Sequence, residues 1–150
     1  MMMYHYVTLD QAIEKHDEII KESGGLLGLR DKQGLNATLE FVKDDSYYPD
    51  FFDKLTYLMY AINKNHHFAD GNKRASIVIV AYFLEINFFD QFFVDIFIKE
   101  SENLALLIAQ NYLNKELLKR ILQELVVDGE LSEETKIDYA TIDIGEKNDY

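Results

Sequence analysis

Residues 66–74 bring together more chemically active side chains than any other stretch of this sequence. In one-letter code they read HHFADGNKR. Lys73 and Arg74 supply positive charge, and an arginine can hold a phosphate through two parallel hydrogen bonds. Gly71 allows the backbone to approach a phosphate closely. We therefore predict a phosphate-binding site at Gly71, Asn72, Lys73 and Arg74.

Two further side chains of this stretch suggest a reaction as well as a binding site. Asp70 provides a hard oxygen ligand, which suits Mg²⁺ beside a phosphate better than it suits a soft metal. A histidine side chain ordinarily has a pKa of about 6.5, near working pH, so a histidine such as His66 could remove the proton from an attacking hydroxyl. His67 is interpreted as a loop residue rather than as a second ligand, and Phe68 as the residue that fixes the loop to the core.

The flanking segments predict how these side chains are positioned. Residues 50–65 have apolar side chains three and four positions apart, which predicts an amphipathic helix. Residues 75–84 are apolar except for Ser76, as expected for an element buried on all sides. If that element is a helix, its first N–H groups and its dipole would themselves attract an anion. Residues 77–80 are all β-branched and favour a strand by propensity, so periodicity alone does not decide.

The nine residues resemble the signature H-x-F-x-(D/E)-G-N-x-R of the Fic family, and the Asn-Lys-Arg ending is similar to its death-on-curing (Doc) branch. The resemblance implies an all-α fold: a single compact helical domain whose buried central helix follows the signature loop. It also implies His66 as general base, Asp70 as metal ligand and residues 71–74 as the anion site, with ATP and Mg²⁺ as cofactors.

The Doc resemblance further implies a function. Such a protein would move the γ-phosphate of ATP to a Ser or Thr hydroxyl of a cytoplasmic protein such as a translation factor. It would act as a toxin whose inhibitor is a separate protein.

Three alternatives stay open. The first is AMP transfer, although Fic members with that activity usually carry Gly at the position of Lys73 and a second Arg at the position of Ile77. The second is a catalytically silent Fic domain that binds a nucleotide or a protein. The third is a metal-dependent phosphohydrolase of the HD type, for which only His5 and His16 remain elsewhere to complete a metal shell.

Composition narrows the possible classes of protein. The 150 residues suit one domain, and seven glycines with a single proline favour long helices. A net charge of −12 disfavours a nucleic-acid surface. The sequence has no cysteine, and we detect neither a secretory signal nor a membrane span, so we expect a cytoplasmic protein.

The predicted domain boundary lies near the C-terminus. We assign residues 1–127 to the Fic/Doc-like domain and residues 128–150 to an acidic tail, which is either disordered or docked. The tail has eight acidic residues and two lysines, and thus carries half of the net charge.

The remaining elements are predicted from capping and periodicity. A capping box at Thr8 and Gln11 begins a first helix that ends before Gly24, with His16 partly buried and hydrogen-bonded on its apolar face. We expect Arg30 to pair with a carboxylate. Short apolar patterns predict helices at residues 35–42, 103–112 and 115–126, with residues 87–94 as a connection.

Overall fold

A computed structural model describes residues 3–142, and over that range the chain forms α-helices and no β-strand. The predicted all-α fold is therefore confirmed. The helices in this range are α1 (Leu9–Ser23), α2 (Lys32–Phe41), α3 (Phe51–Lys64), α4 (Asn72–Ile86), α5 (Gln91–Ala109), α6 (Lys115–Val127) and α7 (Glu133–Ala140).

Helix α4 is the central element, and it packs against α1, α3 and α5. Ile79, Val80, Phe83 and Leu84 have no exposed surface. A β-branched residue costs about 0.5 kcal/mol in a helix relative to alanine, whereas burying one such side chain stabilises the fold by about 1.5–3 kcal/mol. Burial therefore outweighs propensity, and the β-branched run at 77–80 is helical.

The two helices that lead to the signature begin and end as their sequences predict. In α1, Thr8 accepts a hydrogen bond from the backbone N–H of Gln11, whose side chain bonds back to the Thr8 N–H, and the helix ends at Gly24 with φ of 87°. In α3, Asp50 caps the first turn and the helix ends at Lys64. The signature loop, residues 66–71, therefore starts one residue after the C-cap of α3.

The prediction for residues 87–112 was wrong about where the helix begins. A single helix, α5, begins at Gln91 and ends at Ala109, where we expected a connection and then a helix at 103–112. Asp90 and Asp95 seemed to interrupt the apolar pattern. In the structure Asp90 caps the helix by accepting from the Phe92 N–H, and Asp95 accepts from the Gln91 side chain on the solvent side. Capping and surface side chains were thus mistaken for a break.

The short helix α2 begins at Lys32, three residues before the predicted start, because Asp31 caps it by accepting from the Gly34 N–H. Further along the chain, α7 lies within the predicted acidic tail and packs on α6. Glu124 of α6 accepts hydrogen bonds from the Ser132 N–H and from the Thr135 hydroxyl, and Thr135 is buried. The division at residue 127 stays a prediction. The last eight residues of the predicted tail, 143–150, lie outside the described range.

Candidate active site

All six predicted site residues line one pocket of about 550 Å³. The signature loop and the first turn of α4 form one side, and the ends of α3 and α5 form the other. The lining residues are Asn63, Lys64, His66, Ala69, Asp70, Gly71, Asn72, Lys73, Arg74 and Ala109.

The N-terminus of α4 opens into this pocket without a cap. Gly71 is the N-cap residue, with φ of 73°, and no side chain of residues 3–142 accepts from the first turn. A Cβ at position 71 would lie 2.9 Å from the Ile20 side chain, so both the conformation and the space require glycine. The first N–H groups of α4 have no acceptor within their own helix, and the helix dipole adds positive potential there. This turn can therefore hold an anion through backbone groups alone.

His66 and Lys73 line the pocket, and both residues are exposed. His66 has φ of 51°, a left-handed conformation that is uncommon for a residue other than glycine. Neither side chain forms a hydrogen bond or ion pair within residues 3–142. Both are thus free to meet a ligand.

Asp70 is held at the edge of the pocket by backbone groups. Its carboxylate accepts from the Leu26 N–H at 3.0 Å and from the Gly71 N–H at 2.8 Å. These two hydrogen bonds, and then the nearby charges of Arg74 and His16, lower the pKa of Asp70 below its ordinary value. Asp70 is therefore ionised at neutral pH, as a ligand of a hard cation must be.

Asn72 and Arg74 use their side chains mainly to hold the protein together. The Asn72 amide accepts from the Phe68 N–H and donates to the Phe68 carbonyl, which closes the signature loop. The Arg74 guanidinium donates to the Ser23 hydroxyl and the Gly24 carbonyl, each at 2.6 Å. We expected all of residues 71–74 to face a phosphate. For Asn72 the backbone N–H is the group left for an anion.

The turn after α1 clamps the signature loop through the backbone. The Ala69 N–H donates to the Gly28 carbonyl, and the N–H groups of Arg30 and Asp31 donate to the His67 carbonyl. The expected ion pair of Arg30 is absent: its side chain is exposed, and no carboxylate of residues 3–142 lies within 4.0 Å of it. The contact that Arg30 makes with the signature loop is through its backbone N–H.

His16 supports the loop from below. Its ring is buried and stacks on Phe68 with 4.0 Å between ring centroids, and its Nε2 lies 2.7 Å from the Asp70 carbonyl oxygen. A carbonyl only accepts, so Nε2 carries the proton. Phe68, only 1% exposed, fixes the loop to the core as predicted.

His67 points away from the pocket, as expected for a loop residue. It is 3% exposed, and its Nε2 lies 3.0 Å from the Thr38 hydroxyl of α2. Burial lowers the pKa of the His67 imidazole, and the nearby Asp31 carboxylate opposes that shift. Within the described residues no group of three or more His, Asp or Glu side chains is placed to hold a metal ion.

Sequence reasoning missed the contributions of Lys64, Ser23 and Leu26. The last two act through a hydroxyl and a backbone N–H, which no motif reveals, although the paired glycines at 24 and 25 mark the turn. Lys64 is the second residue before His66 and was counted only as the end of a helix. Its proximity to the signature was the available signal.

Together, the fold and the site define a helical domain with an anion-binding helix N-terminus and an exposed histidine beside it. Residues 6–84 match the model of the Fic/DOC family, so the match covers more than half of the chain and includes the entire signature. The chain belongs to the Fic/DOC family. Members of this family are in general nucleotide-dependent transferases that modify proteins. No curated protein matches the chain.

A last feature is the length and hydropathy of the helices. Over residues 3–142, no helix is both long enough and apolar enough to cross a membrane.

Proposed function

We propose that this chain is a Doc-like transferase that moves the γ-phosphate of ATP to a Ser or Thr hydroxyl of a cytoplasmic protein. One observation carries the proposal: exposed His66 and Lys73 share a pocket with the uncapped N-terminus of α4. A candidate phosphate-binding site and a candidate base therefore lie within the same pocket of 550 Å³.

The charge of the pocket favours a polyphosphate. Its lining contains three cations, Lys64, Lys73 and Arg74, and one carboxylate, Asp70, in a chain whose net charge is −12. The N–H groups at the start of α4 are fixed in direction before any ligand arrives. Such preorganised donors stabilise developing negative charge without reorganisation.

His66 supplies the proton acceptor. As the target hydroxyl oxygen bonds to the γ-phosphorus, the His66 imidazole takes the hydroxyl proton. The bond between the γ-phosphorus and the bridging oxygen then breaks, and the electron pair stays on the oxygen of the released ADP. A base in this role contributes about 10²- to 10⁴-fold to the rate.

Lys73 and Ile77 favour γ-phosphate transfer over AMP transfer. The resemblance associates AMP transfer with a glycine at position 73 and a second arginine at position 77. Here Lys73 is exposed at the pocket, and Ile77 packs against the hydrophobic core instead of lining the pocket. Position 77 therefore supplies no cation to the pocket.

The donor set at Asp70 fits Mg²⁺. One ionised carboxylate, 42% exposed, is the kind of protein ligand that Mg²⁺ shares with water and substrate phosphates. When bound, the ion would neutralise charge on the transferred phosphate. Asp70→Asn should therefore weaken the Mg²⁺-dependent part of ATP affinity, measured by calorimetry with and without the metal.

The proposal is tested with purified protein, cell extract and ATP labelled on either the α- or the γ-phosphate. Label on a protein from γ only is the expected result, and His66→Ala should abolish it. Label from α only would instead establish AMP transfer. Nucleotide binding without transfer of either label would establish a silent binding domain.

We further propose that the protein is a toxin restrained by a separate inhibitor protein. Expression alone should then arrest bacterial growth by blocking translation, and His66→Ala should relieve the arrest. Normal growth with abundant folded wild-type protein would reject the toxin role, while the labelling experiment would still decide the transferase.

A further inference from the structure

Lys64 is an ammonium in the pocket without a carboxylate partner. It is the last residue of α3, is half-buried, and lines the pocket beside Ala109, the last residue of α5. No carboxylate of residues 3–142 lies within 4.0 Å of its Nζ. Burial without such a partner lowers the pKa of Lys64.

The contacts that Lys64 does make are to neutral acceptors. Its Nζ donates to the Ile108 carbonyl at 3.3 Å and to the side-chain oxygen of Asn111. An ammonium has three N–H donors, and these bonds use two of them. One donor thus remains for a ligand, and the Nζ also lies 5.8 Å from the centroid of the Tyr60 ring.

The other two cations of the pocket are placed differently. Arg74 is already bonded to Ser23 and Gly24 and lies 4.0 Å from Asp70. Lys73 sits in the first turn of α4, so it serves the same phosphate as the N–H groups of that turn. Lys64 instead stands where α3 and α5 end, and the C-terminal ends of helices repel an anion. A cation at these helix ends offsets that repulsion and lets a second phosphate approach them.

We propose that Lys64 is a third phosphate-binding cation, which contacts a phosphoryl group of the nucleotide other than the one seated at the N-terminus of α4. The inference rests on the proposed function, in that it takes the pocket to hold a nucleotide polyphosphate. Lys64 thereby supplies from α3 the positive charge that position 77 lacks.

The simpler role of Lys64 would be only to cap the C-terminus of α5. The affinities for different nucleotides distinguish this structural role from phosphate binding. Lys64→Met should weaken MgATP binding by about tenfold or more, as expected for a charged hydrogen bond. AMP, with one phosphate, should lose less than about threefold. Lys64→Arg keeps the charge and should stay close to wild type for both.

Lys115→Met is the matched control. Lys115 and Lys64 both lie over the Tyr60 ring, 5.1 Å and 5.8 Å from its centroid, but only Lys64 lines the candidate active site. The control should leave MgATP affinity unchanged. If Lys64→Met does not fold, as judged by circular dichroism, then Lys64→Gln carries the test because its amide can still donate to Ile108.

The possible outcomes are distinct. Equal MgATP affinity in wild type and the neutral Lys64 variants would overturn this inference and leave the proposed function standing. Equal weakening for ATP and AMP would show a structural role and would also overturn it. Failure of the wild type to bind MgATP would overturn both the inference and the proposed function.

Discussion

The signature region has two faces, and they differ in what their side chains contact. The anchored face comprises His67, Phe68 and Asn72, whose side chains are buried or bonded to other parts of the protein. The open face comprises His66 and Lys73, which are exposed and form no hydrogen bond or ion pair within residues 3–142. Residue types alone did not distinguish these faces, since each contains a histidine and a polar residue.

This difference separates binding chemistry from architecture. Side chains with satisfied hydrogen bonds hold the loop in one conformation, and the unsatisfied ones remain for a ligand. Neighbouring histidines therefore serve opposite purposes here. Substitutions should reveal this difference. Those on the open face should change activity and leave stability unchanged, whereas those on the anchored face should mainly lower stability.

The largest effect is expected at His66. His66→Asn removes the base and suits the left-handed backbone at φ of 51°. Turnover should fall by about 10²- to 10⁴-fold, whereas the free energy of unfolding should change by less than about 0.5 kcal/mol because the side chain is exposed. Single-turnover transfer assays and urea unfolding measure the two quantities. A large loss of stability would place His66 on the anchored face.

The second prediction concerns the buried neighbour. His67→Ala removes the bond between His67 and the Thr38 hydroxyl and opens a cavity beside α2, so the free energy of unfolding should fall by about 1–3 kcal/mol. His67→Gln, which can still bond to Thr38, is the control and should lose less. Urea unfolding gives both values. An unchanged stability with a loss of activity equal to that of His66→Asn would instead make His67 a participant in the reaction.

Much of the fold was predictable because its signals are local. The capping box of α1, the glycine at its end and the apolar periodicity of α3 and α6 each depend on neighbouring residues. The start of α5 was missed because Asp90 and Asp95 looked like a break in the pattern. Only the three-dimensional arrangement shows that one caps the helix and the other faces solvent.

The site was predictable in its composition but not in its division of labour. All six site residues predicted from the motif line the same pocket. It gave no sign that the Asn72 side chain closes the loop, or that His16, 54 residues earlier than Asp70, bonds to its carbonyl. The His16 bond depends on how α1 packs against α4, which no spacing within the motif encodes.

The third prediction tests whether the turn after α1 positions Asp70, by comparing two glycines of that turn. Gly25 and Gly28 both have positive φ, 125° and 112°, so alanine strains the backbone at each. A Cβ at position 25 would lie 2.6 Å from the Asp70 carboxylate, whereas a Cβ at position 28 would meet no atom of the described residues within 4 Å. Gly25→Ala should therefore weaken Mg²⁺-dependent ATP binding beyond any effect of Gly28→Ala. Equal binding by calorimetry would mean that Asp70 does not need its observed position.

The smallest expected effect is a pH dependence from the anchored face. Burial lowers the pKa of His67 in the folded state below its ordinary 6.5, with a smaller contribution from His66, while Asp31 acts in the opposite direction. The unfolded chain therefore binds a proton more readily than the folded one. The stability that this difference provides is fully present above pH 6.5 and decreases as the pH falls from there through the folded pKa. Glutamine does not titrate, so the stability of His67→Gln relative to wild type should rise as the pH falls through that interval. Urea unfolding at a series of pH values measures this difference, and a constant difference between the two proteins would show that folding does not shift the pKa of His67.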